Sequence, residues 1–257
     1  MEIKTKKQSL DFVLSEKQCF AKSVLLKLSS VGPLPAVNPG QFVQVKVEKS
    51  PSTYLRRPIS VHNVIPGRNE LWLLVQQVGD GTRALAALEP GQSVNIILPL
   101  GNGFSMAAAG EQVLLIGGGV GVAPLLYLGS ELRRVGAEPS FLLGGRTAAD
   151  LLQLEAFREI GPVYTTTEDG SAGIRGFVTQ HTVLDRPWKR FYVCGPKPMM
   201  QAVAQRARRD SVPCEVSLEN SMACGLGACL CCVENTREGH VCVCQEGPVF
   251  NIDKLLW

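Results

Sequence analysis

Residues 8–100 alternate between short apolar runs and turn signals. Turns rich in glycine and proline at this spacing are typical of a small antiparallel barrel. The predicted strands are Gln41–Val47, Arg57–Val64, Leu71–Val78 and Ser93–Leu98. One helix, Thr82–Leu88 with Thr82 as its N-cap, is expected to interrupt the strands.

After the Ala/Gly tract Met106–Gly110, the pattern changes to an apolar strand, a turn and a helix, repeated along the chain. Such alternation predicts a doubly wound parallel sheet. The expected strand–helix pairs are Gln112–Ile116 with Ala123–Val135, Ser140–Leu143 with Ala148–Ile160, and Phe191–Val193 with Met199–Arg209. After Pro213 a Cys-rich tail begins, which is too short for an apolar core of its own and would need a metal.

These three patterns predict three domains and a combined α+β and α/β fold class. We expect an antiparallel β-barrel domain at residues 1–106, a doubly wound nucleotide-binding domain at 107–213, and a small metal-binding domain at 214–257.

Composition changes this picture little. The 257 residues are 45% hydrophobic and 19% charged, and 26 basic against 23 acidic residues leave a formal charge of only +3. That charge is too small for a nucleic-acid footprint. No apolar run has the length of a signal peptide core or of a membrane span, so we expect a cytoplasmic protein with neither nucleic-acid nor membrane partners.

The cysteines give the sharpest chemical signal, since six of the nine lie between Cys224 and Cys244. Clustering of this kind indicates metal binding instead of a disulfide framework. Cys224, Cys229 and Cys232 have the C-x4-C-x2-C spacing of plant-type [2Fe–2S] ligation. Structural zinc is the alternative, but zinc sites usually pair two C-x2-C motifs or add histidines. The spacing therefore favours an iron–sulfur cluster.

Six cysteines compete for four ligand positions. Adjacent side chains rarely converge on one metal, so the spacing favours Cys232 and makes Cys231 a buried bystander. Cys242 and Cys244 stand two apart, and on a strand they would share a face. Periodicity therefore leaves the fourth ligand open.

Two glycine-bearing turns follow strands of the predicted parallel sheet. Glycines at a helix N-terminus permit close approach of a pyrophosphate, and proline is well placed in the first helical turn. The residues concerned are Gly117, Gly118, Gly119, Gly121 and Pro124 in the first turn, and Cys194, Gly195 and Pro196 in the second. Close strand–helix packing would explain one such turn alone, but two on one sheet indicate a dinucleotide site.

The barrel carries a weaker signal. Arg56 and Arg57 begin an Arg-Arg-Pro-Ile-Ser sequence, and Gly79-Asp-Gly-Thr82 opens the predicted helix. A guanidinium, a hydroxyl and a helix N-terminus suit a second pyrophosphate. Paired arginines are also ordinary solvated surface.

Together and in this order, the motifs resemble the ferredoxin–NADP reductase superfamily over roughly residues 1–210. The tail, with Leu218-Glu-Asn-Ser-Met-Ala-Cys-Gly and Cys244-Gln-Glu-Gly-Pro-Val-Phe, is similar to that of the electron-transfer subunits of NAD-linked, two-subunit dihydroorotate dehydrogenases. The resemblance then covers the whole chain. It implies FAD in the barrel, NAD on the parallel sheet and a [2Fe–2S] cluster in the tail, with Cys244 as the fourth ligand.

Carried over by position, the resemblance also assigns the flavin contacts. They are Arg57, Pro58, Ile59, Ser60, Leu74, Val75, Gln76, Gly81 and Thr82. Ile59 stands where relatives often have an aromatic residue that stacks on the flavin. Arg146 could meet the 2′-phosphate of NADP, and only the resemblance favours NAD.

The implied function is electron transfer from the FMN of a catalytic partner through the cluster and FAD to NAD+, in a heterotetramer with two copies of each subunit. No acid–base constellation is recognisable, so dihydroorotate oxidation is expected to need that partner. Cys194 would be a positioning group beside the nicotinamide. One alternative is a reductase subunit of a hydrogenase, a bifurcating transhydrogenase or an oxygenase. Another is a zinc-binding or redox-sensing regulator.

Overall fold

The computed structural model describes residues 6–48 and 50–257. Its contacts divide the chain into two compact units. The first comprises residues 1–103, 220–234 and 240–248, and the second comprises 104–219, 235–239 and 249–257. The division into three domains at 1–106, 107–213 and 214–257 stays a prediction, and its first five residues lie outside the described part.

The first unit contains a closed antiparallel barrel in the strand order β1-β2-β5-β4-β3-β6. Alternating burial along β1, with Phe12 and Leu14 fully buried, gives the barrel its core. The elements are β1 (Gln8–Cys19), β2 (Ser23–Ser30), β3 (Phe42–Val45), β4 (Arg57–Ile65), β5 (Glu70–Gln76), α1 (Asp80–Ala86) and β6 (Ser93–Leu100), with a 3₁₀ turn at Pro66–Arg68.

The second unit is built on a seven-stranded sheet in the order β10-β9-β8-β7-β11-β12-β15, parallel except for the last strand. Its elements are β7 (Gln112–Gly118), α2 (Ala123–Arg134), β8 (Glu138–Gly145), α3 (Leu154–Arg158), β9 (Val163–Thr167), β10 (Ile174–Arg175), β11 (Arg190–Cys194), α4 (Lys197–Arg209), β12 (Cys214–Ser217) and β15 (Val249–Asn251). Single 3₁₀ turns lie at Gly119–Val122, Ala148–Asp150, Val178–Gln180, Thr182–Asp185 and Ile252–Lys254.

The remaining elements lie in the Cys-rich tail. They are β13 (Val233–Thr236) and β14 (Gly239–Cys242), which pair with each other, and the short helix α5 (Val243–Glu246). The barrel and the parallel sheet that the sequence predicts are therefore confirmed.

Two predicted helices differ from those observed. The helix in the barrel begins at Asp80 with Gly79 as its N-cap, and Thr82 stands at the third position, where its hydroxyl accepts from the Gly79 amide at 3.0 Å. The predicted helix Ala148–Ile160 is wrong as one element. Gln153 has a φ of +58°, which divides the segment into a 3₁₀ turn and the short α3.

No helix in the part of the chain described has the length and apolar character needed to cross a bilayer.

Helix α2 packs on β8 through a glycine. A Cβ added at Gly129 would lie 2.5 Å from Cζ of Phe141, whose side chain is fully buried. We expect Gly129→Ala to destabilise the protein by about 1–3 kcal/mol through overpacking, despite the better helix propensity of alanine. Urea unfolding measures the change.

The matched control is Gly67→Ala, because an added Cβ there meets no atom within 4 Å and φ is not left-handed. Its effect should stay within about 0.5 kcal/mol. A higher unfolding midpoint for Gly129→Ala would show that α2 does not depend on this close packing.

Candidate functional site

The cysteine loop, residues 224–232, surrounds its sulfur atoms with backbone amides. The Leu226 amide donates to Sγ of Cys224 at 3.3 Å, and the Gly227 amide donates to Sγ of Cys244 at 3.1 Å. Gly225 and Gly227 have φ values of +68° and +81°, which turn these amides toward the sulfurs. Successive amides turned to one side form a concave site for negative charge.

The amides also change the acidity of the first cysteine. Burial by itself raises the pKa of Cys224, but hydrogen bonds from the amides of Leu226, Cys229 and Ala228 and from the Cys229 side chain outweigh it. The resulting pKa is about 6. Cys224 is thus prepared as a thiolate, the form that binds iron.

The four predicted ligands lie close together in the structure. The Cys244 amide donates to Sγ of Cys232 at 3.4 Å, and both of these side chains are buried. Burial, followed by a hydrogen bond with Cys232, raises the pKa of Cys244 to about 12. Because this thiol is protonated at neutral pH, metal binding there would release a proton.

The other two cysteines differ in exposure. Cys231 is exposed, so its expected burial is wrong. Cys242 is partly buried, and burial together with the charge of Cys232 raises its pKa. Cys242 therefore lies near the same cysteine sulfurs as Cys244. The choice of Cys244 as the fourth ligand rests on the resemblance.

Residues 6–48 and 50–257 contain no group of three or more His, Cys, Asp or Glu side chains arranged to hold a single metal ion. The backbone amides around the cysteine sulfurs could also donate to the inorganic sulfides of an iron–sulfur cluster.

The predicted flavin residues lie together on β4, β5 and the first turns of α1. A Cβ added at Gly81 would lie 2.6 Å from Nε of Arg57, so the guanidinium packs on this glycine. The Thr82 hydroxyl accepts from the amides of Val78 and Gly79, both at 3.0 Å. Nη1 of Arg57 also donates to the Leu55 carbonyl at 3.1 Å, which holds this cationic side chain beside a helix start, where a pyrophosphate could accept from it.

The remaining flavin residues differ in what they can offer. Ile59 and Ser60 are half-buried on β4, and Gln76 is half-buried at the end of β5. Leu74 and Val75 are buried in the barrel wall, so they would offer backbone atoms and not side chains. Pro58 is half-buried between Arg57 and Ile59.

The two glycine-bearing turns of the second unit meet at the carboxyl edge of the sheet. The parallel register places Cys194 of β11 beside Gly117 of β7. A Cβ at Gly121 would lie 2.5 Å from Cα of Gly195, and one at Gly118 would lie 3.1 Å from Cδ of Pro196. The backbones touch because these positions lack side chains.

Gly119 has a different role from its neighbours. Its φ is +56°, and an added Cβ would meet no atom within 4 Å, so the backbone faces open space. Helix α2 follows, with Pro124 in its first turn. This is the arrangement that admits a nucleotide phosphate close to backbone amides.

Cys194 lies beside a carboxyl group that the sequence did not single out. Sγ of Cys194 is 3.9 Å from Oε1 of Glu219. Burial, and then the charge of Glu219, raise the pKa of Cys194 well above its ordinary value. Desolvation by the surrounding atoms also raises the pKa of Glu219. This residue is still exposed to solvent, which reduces the effect. The only sequence signal for Glu219 was its place in the Leu218-Glu-Asn string.

Arg146, which could meet a 2′-phosphate, stands near an acidic residue. Nε of Arg146 is 3.9 Å from Oδ2 of Asp150, and the same oxygen accepts from the amides of Arg146 and Thr147. The Asp150 carboxylate offsets part of the positive charge that a 2′-phosphate would need from Arg146.

Two stretches of the chain match known protein families. Residues 115–205 match the oxidoreductase NAD-binding domain, and residues 219–256 match the iron-sulfur cluster binding domain of dihydroorotate dehydrogenase B. The dihydroorotate dehydrogenase B (NAD(+)) electron transfer subunit of Shouchella clausii is 40% identical over 227 residues, 85% of this chain and 86% of that protein. The chain belongs to this family of electron-transfer subunits.

A second electron-transfer subunit of this name, from Bacillus caldolyticus, is 39% identical over 85% of this chain and 86% of its own length. Among solved structures, an NADH-dependent reduced ferredoxin–NADP oxidoreductase studied for flavin-based electron bifurcation has a TM-score of 0.84 at 28% identity, and the match covers 96% of this chain and 90% of that one. The cytochrome P450 reductase GcoB of Amycolatopsis has a TM-score of 0.70 at 28% identity, with 81% and 68% covered.

Cys194 should resist alkylation in the folded subunit. Its thiol is 1% exposed and its pKa is raised, so the reactive thiolate is scarce at pH 8. Mass spectrometry after brief treatment with iodoacetamide should find Cys194 unmodified and the exposed Cys19 modified. Equal labelling of the two cysteines would contradict the buried, neutral thiol described here.

Proposed function

We propose that this chain receives electrons from a dihydroorotate dehydrogenase catalytic subunit and delivers them to NAD+ in pyrimidine biosynthesis. The printed names of its relatives, at about 40% identity over most of both chains, support this assignment. The observation that carries it is the amide-lined set of cysteines packed in the same compact unit as the barrel with the flavin motif.

Three sets of residues would hold the three cofactors: the cluster, FAD and NAD. When bound, the [2Fe–2S] cluster would supply one-electron exchange, FAD the change between one and two electrons, and nicotinamide the hydride chemistry. Cys224, Cys229, Cys232 and Cys244 would hold the cluster. Arg57 and the turn at Gly81 would hold the FAD pyrophosphate. The turns at Gly119 and Gly195 would hold NAD.

The protein's own part in the chemistry is positioning. The buried Cys194 thiol stays neutral because burial opposes its ionisation. It would therefore position the nucleotide through its shape and not through charge. The Glu219 carboxyl lies beside that thiol, with Oε1 3.9 Å from Sγ. Neither group forms an acid–base pair suited to removing a carbon-bound proton, which leaves that step to the partner.

The proposed partner is an FMN-containing catalytic subunit, in a heterotetramer with two copies of each chain. Two apolar side chains flank the cysteines, Leu226 at 42% and Leu230 at 64% exposed. Leu230 also has a left-handed φ of +59°, which is uncommon for a bulky residue and presents its side chain outward. Exposed apolar side chains beside a redox site are suited to a protein partner.

We place the complex in the cytoplasm, without nucleic-acid or membrane partners. All nine cysteines lie in the part of the chain described and are free, as expected in a reducing compartment.

A second candidate function is a subunit of a bifurcating transhydrogenase. The TM-score of 0.84 to the NADH-dependent ferredoxin–NADP oxidoreductase favours it, but the identity is 28% against 40% for the dihydroorotate dehydrogenase subunits. The partner that co-purifies with the chain separates the two functions.

Removal of one cluster ligand should separate two activities. Cys224→Ser should abolish NAD+ reduction by dihydroorotate in the complex, because the cluster carries the electrons between subunits. The same variant should keep much of its NADH–ferricyanide activity, which needs only FAD and nucleotide. Wild-type protein should contain about two irons and two labile sulfides per chain.

The matched control is Cys231→Ser, since Cys231 is exposed and outside the proposed ligand set. It should keep both activities and the cluster. Zinc without labile sulfide, or full coupled activity in Cys224→Ser, would contradict the proposed function.

Association with the catalytic subunit should depend on Leu230. Leu230→Asn removes the apolar side chain while asparagine tolerates the left-handed backbone. Since burying a leucine contributes about 1.5–3 kcal/mol, we expect at least about tenfold weaker binding in a titration calorimeter. Val31→Asn, at a side chain 96% exposed, should bind like wild type. Unchanged binding by Leu230→Asn would remove this surface from the interface.

A further inference from the structure

Strand β3 carries a buried polar side chain whose carboxamide makes no hydrogen bond among the residues described. Gln44 is fully buried, and neither Nε2 nor Oε1 of its carboxamide has a hydrogen-bond partner among the residues described. Buried carboxamides in native proteins almost always find partners. An amide left unpaired in the protein alone therefore indicates a missing partner outside the chain.

The carboxamide points toward the cysteine loop. A Cβ added at Gly225 would lie 2.7 Å from Nε2 and 2.8 Å from Cγ of Gln44. Gly225 follows Cys224 directly and has a φ of +68°. The loop therefore keeps a glycine where the Gln44 side chain passes, beside the cysteine whose sulfur is already surrounded by amides.

The strand geometry supports this direction. Phe42 and Gln44 share one face of β3, because side chains alternate along a strand. Cε1 of Phe42 would lie 2.9 Å from a Cβ added at Gly101, which would also lie 2.6 Å from Cδ of Pro248. Phe42 thus lies against Gly101, which adjoins Pro248, and Gln44 lies against Gly225 of the cysteine loop. All of these residues belong to the same unit.

A nearby glutamine shows what a purely structural carboxamide looks like here. Gln41 is also buried, but Oε1 accepts from the Asn38 amide at 2.7 Å and Nε2 donates to the Gly101 carbonyl at 2.7 Å. Its hydrogen bonds are complete within the protein. Gln44, three residues later, lacks both.

We propose that Nε2 of Gln44 donates a hydrogen bond to a sulfur at the Cys224 edge of the [2Fe–2S] cluster and raises its reduction potential. The inference rests on the proposed function, because it requires the cluster. Reduction adds one negative charge to the iron–sulfur unit, so a donor to sulfur stabilises the reduced form more than the oxidised form. Gln44 is thus a positioning residue that adjusts how readily electrons enter from the partner.

The test is a redox titration of the holoprotein, with the cluster followed by EPR and FAD by absorbance. Gln44→Met keeps the length of the side chain and removes the donor. We expect cluster reduction to become about tenfold less favourable, a midpoint about 59 mV lower for one electron, with the FAD midpoint unchanged. Gln41→Met, the matched control, should lower the melting temperature and leave the cluster midpoint where it was.

A second measurement keeps the inference testable if Gln44→Met assembles no cluster. Pulsed EPR of reduced protein labelled with ¹⁵N in glutamine side chains should show a coupled nitrogen. The coupling should persist in Gln245→Met, which removes the other carboxamide beside the loop, whose Nε2 donates to the Leu226 carbonyl.

The two hypotheses fail in different ways. An unchanged cluster midpoint in an iron-replete Gln44→Met protein, or no coupled nitrogen in Gln245→Met, would overturn the role of Gln44 alone. Wild-type protein without iron and labile sulfide would instead overturn the proposed function.

Discussion

The packing of the cysteine loop on strand β3 is the contact on which the proposed electron path depends. The tail is too short to bury itself, so it needs a wall supplied by another element. Gln44 supplies part of that wall, and close approach is possible at Gly225, where an added Cβ would collide with the Gln44 side chain. The same strand pairs with β4, where Val45 stands opposite Arg57. One strand therefore adjoins both the sulfur site and the flavin motif.

The second unit solves a different problem with glycines. Here the parallel register places the ends of β7 and β11 side by side, and the backbones of the two turns touch at Gly121 and Gly195. Gly119 is left facing open space. Close packing of the neighbours keeps that backbone fixed, so a phosphate would meet amides that are already oriented.

Much of this was accessible from the sequence because the motifs are local. Spacing singled out the cysteines as candidate ligands, and strand–turn–helix patterns predicted the glycine turns. The break in the predicted helix Ala148–Ile160 was missed because the left-handed backbone at Gln153 is not visible in a hydrophobic pattern. The exposure of Cys231, the approach of Glu219 to Cys194, and the unpaired Gln44 depend on contacts between distant segments, which periodicity does not report.

The most direct test of the account follows electrons entering the complex. Rapid freeze-quench EPR after mixing dihydroorotate with the complex, in the absence of NAD+, should show the spin signal of a reduced [2Fe–2S] cluster, and added NAD+ should remove that signal. The cluster should be reduced before NAD+ because electrons from the partner would enter at the cysteine loop and not at the nucleotide turns. Complete bleaching of the FAD of this subunit, with no cluster signal at any time, would contradict the account.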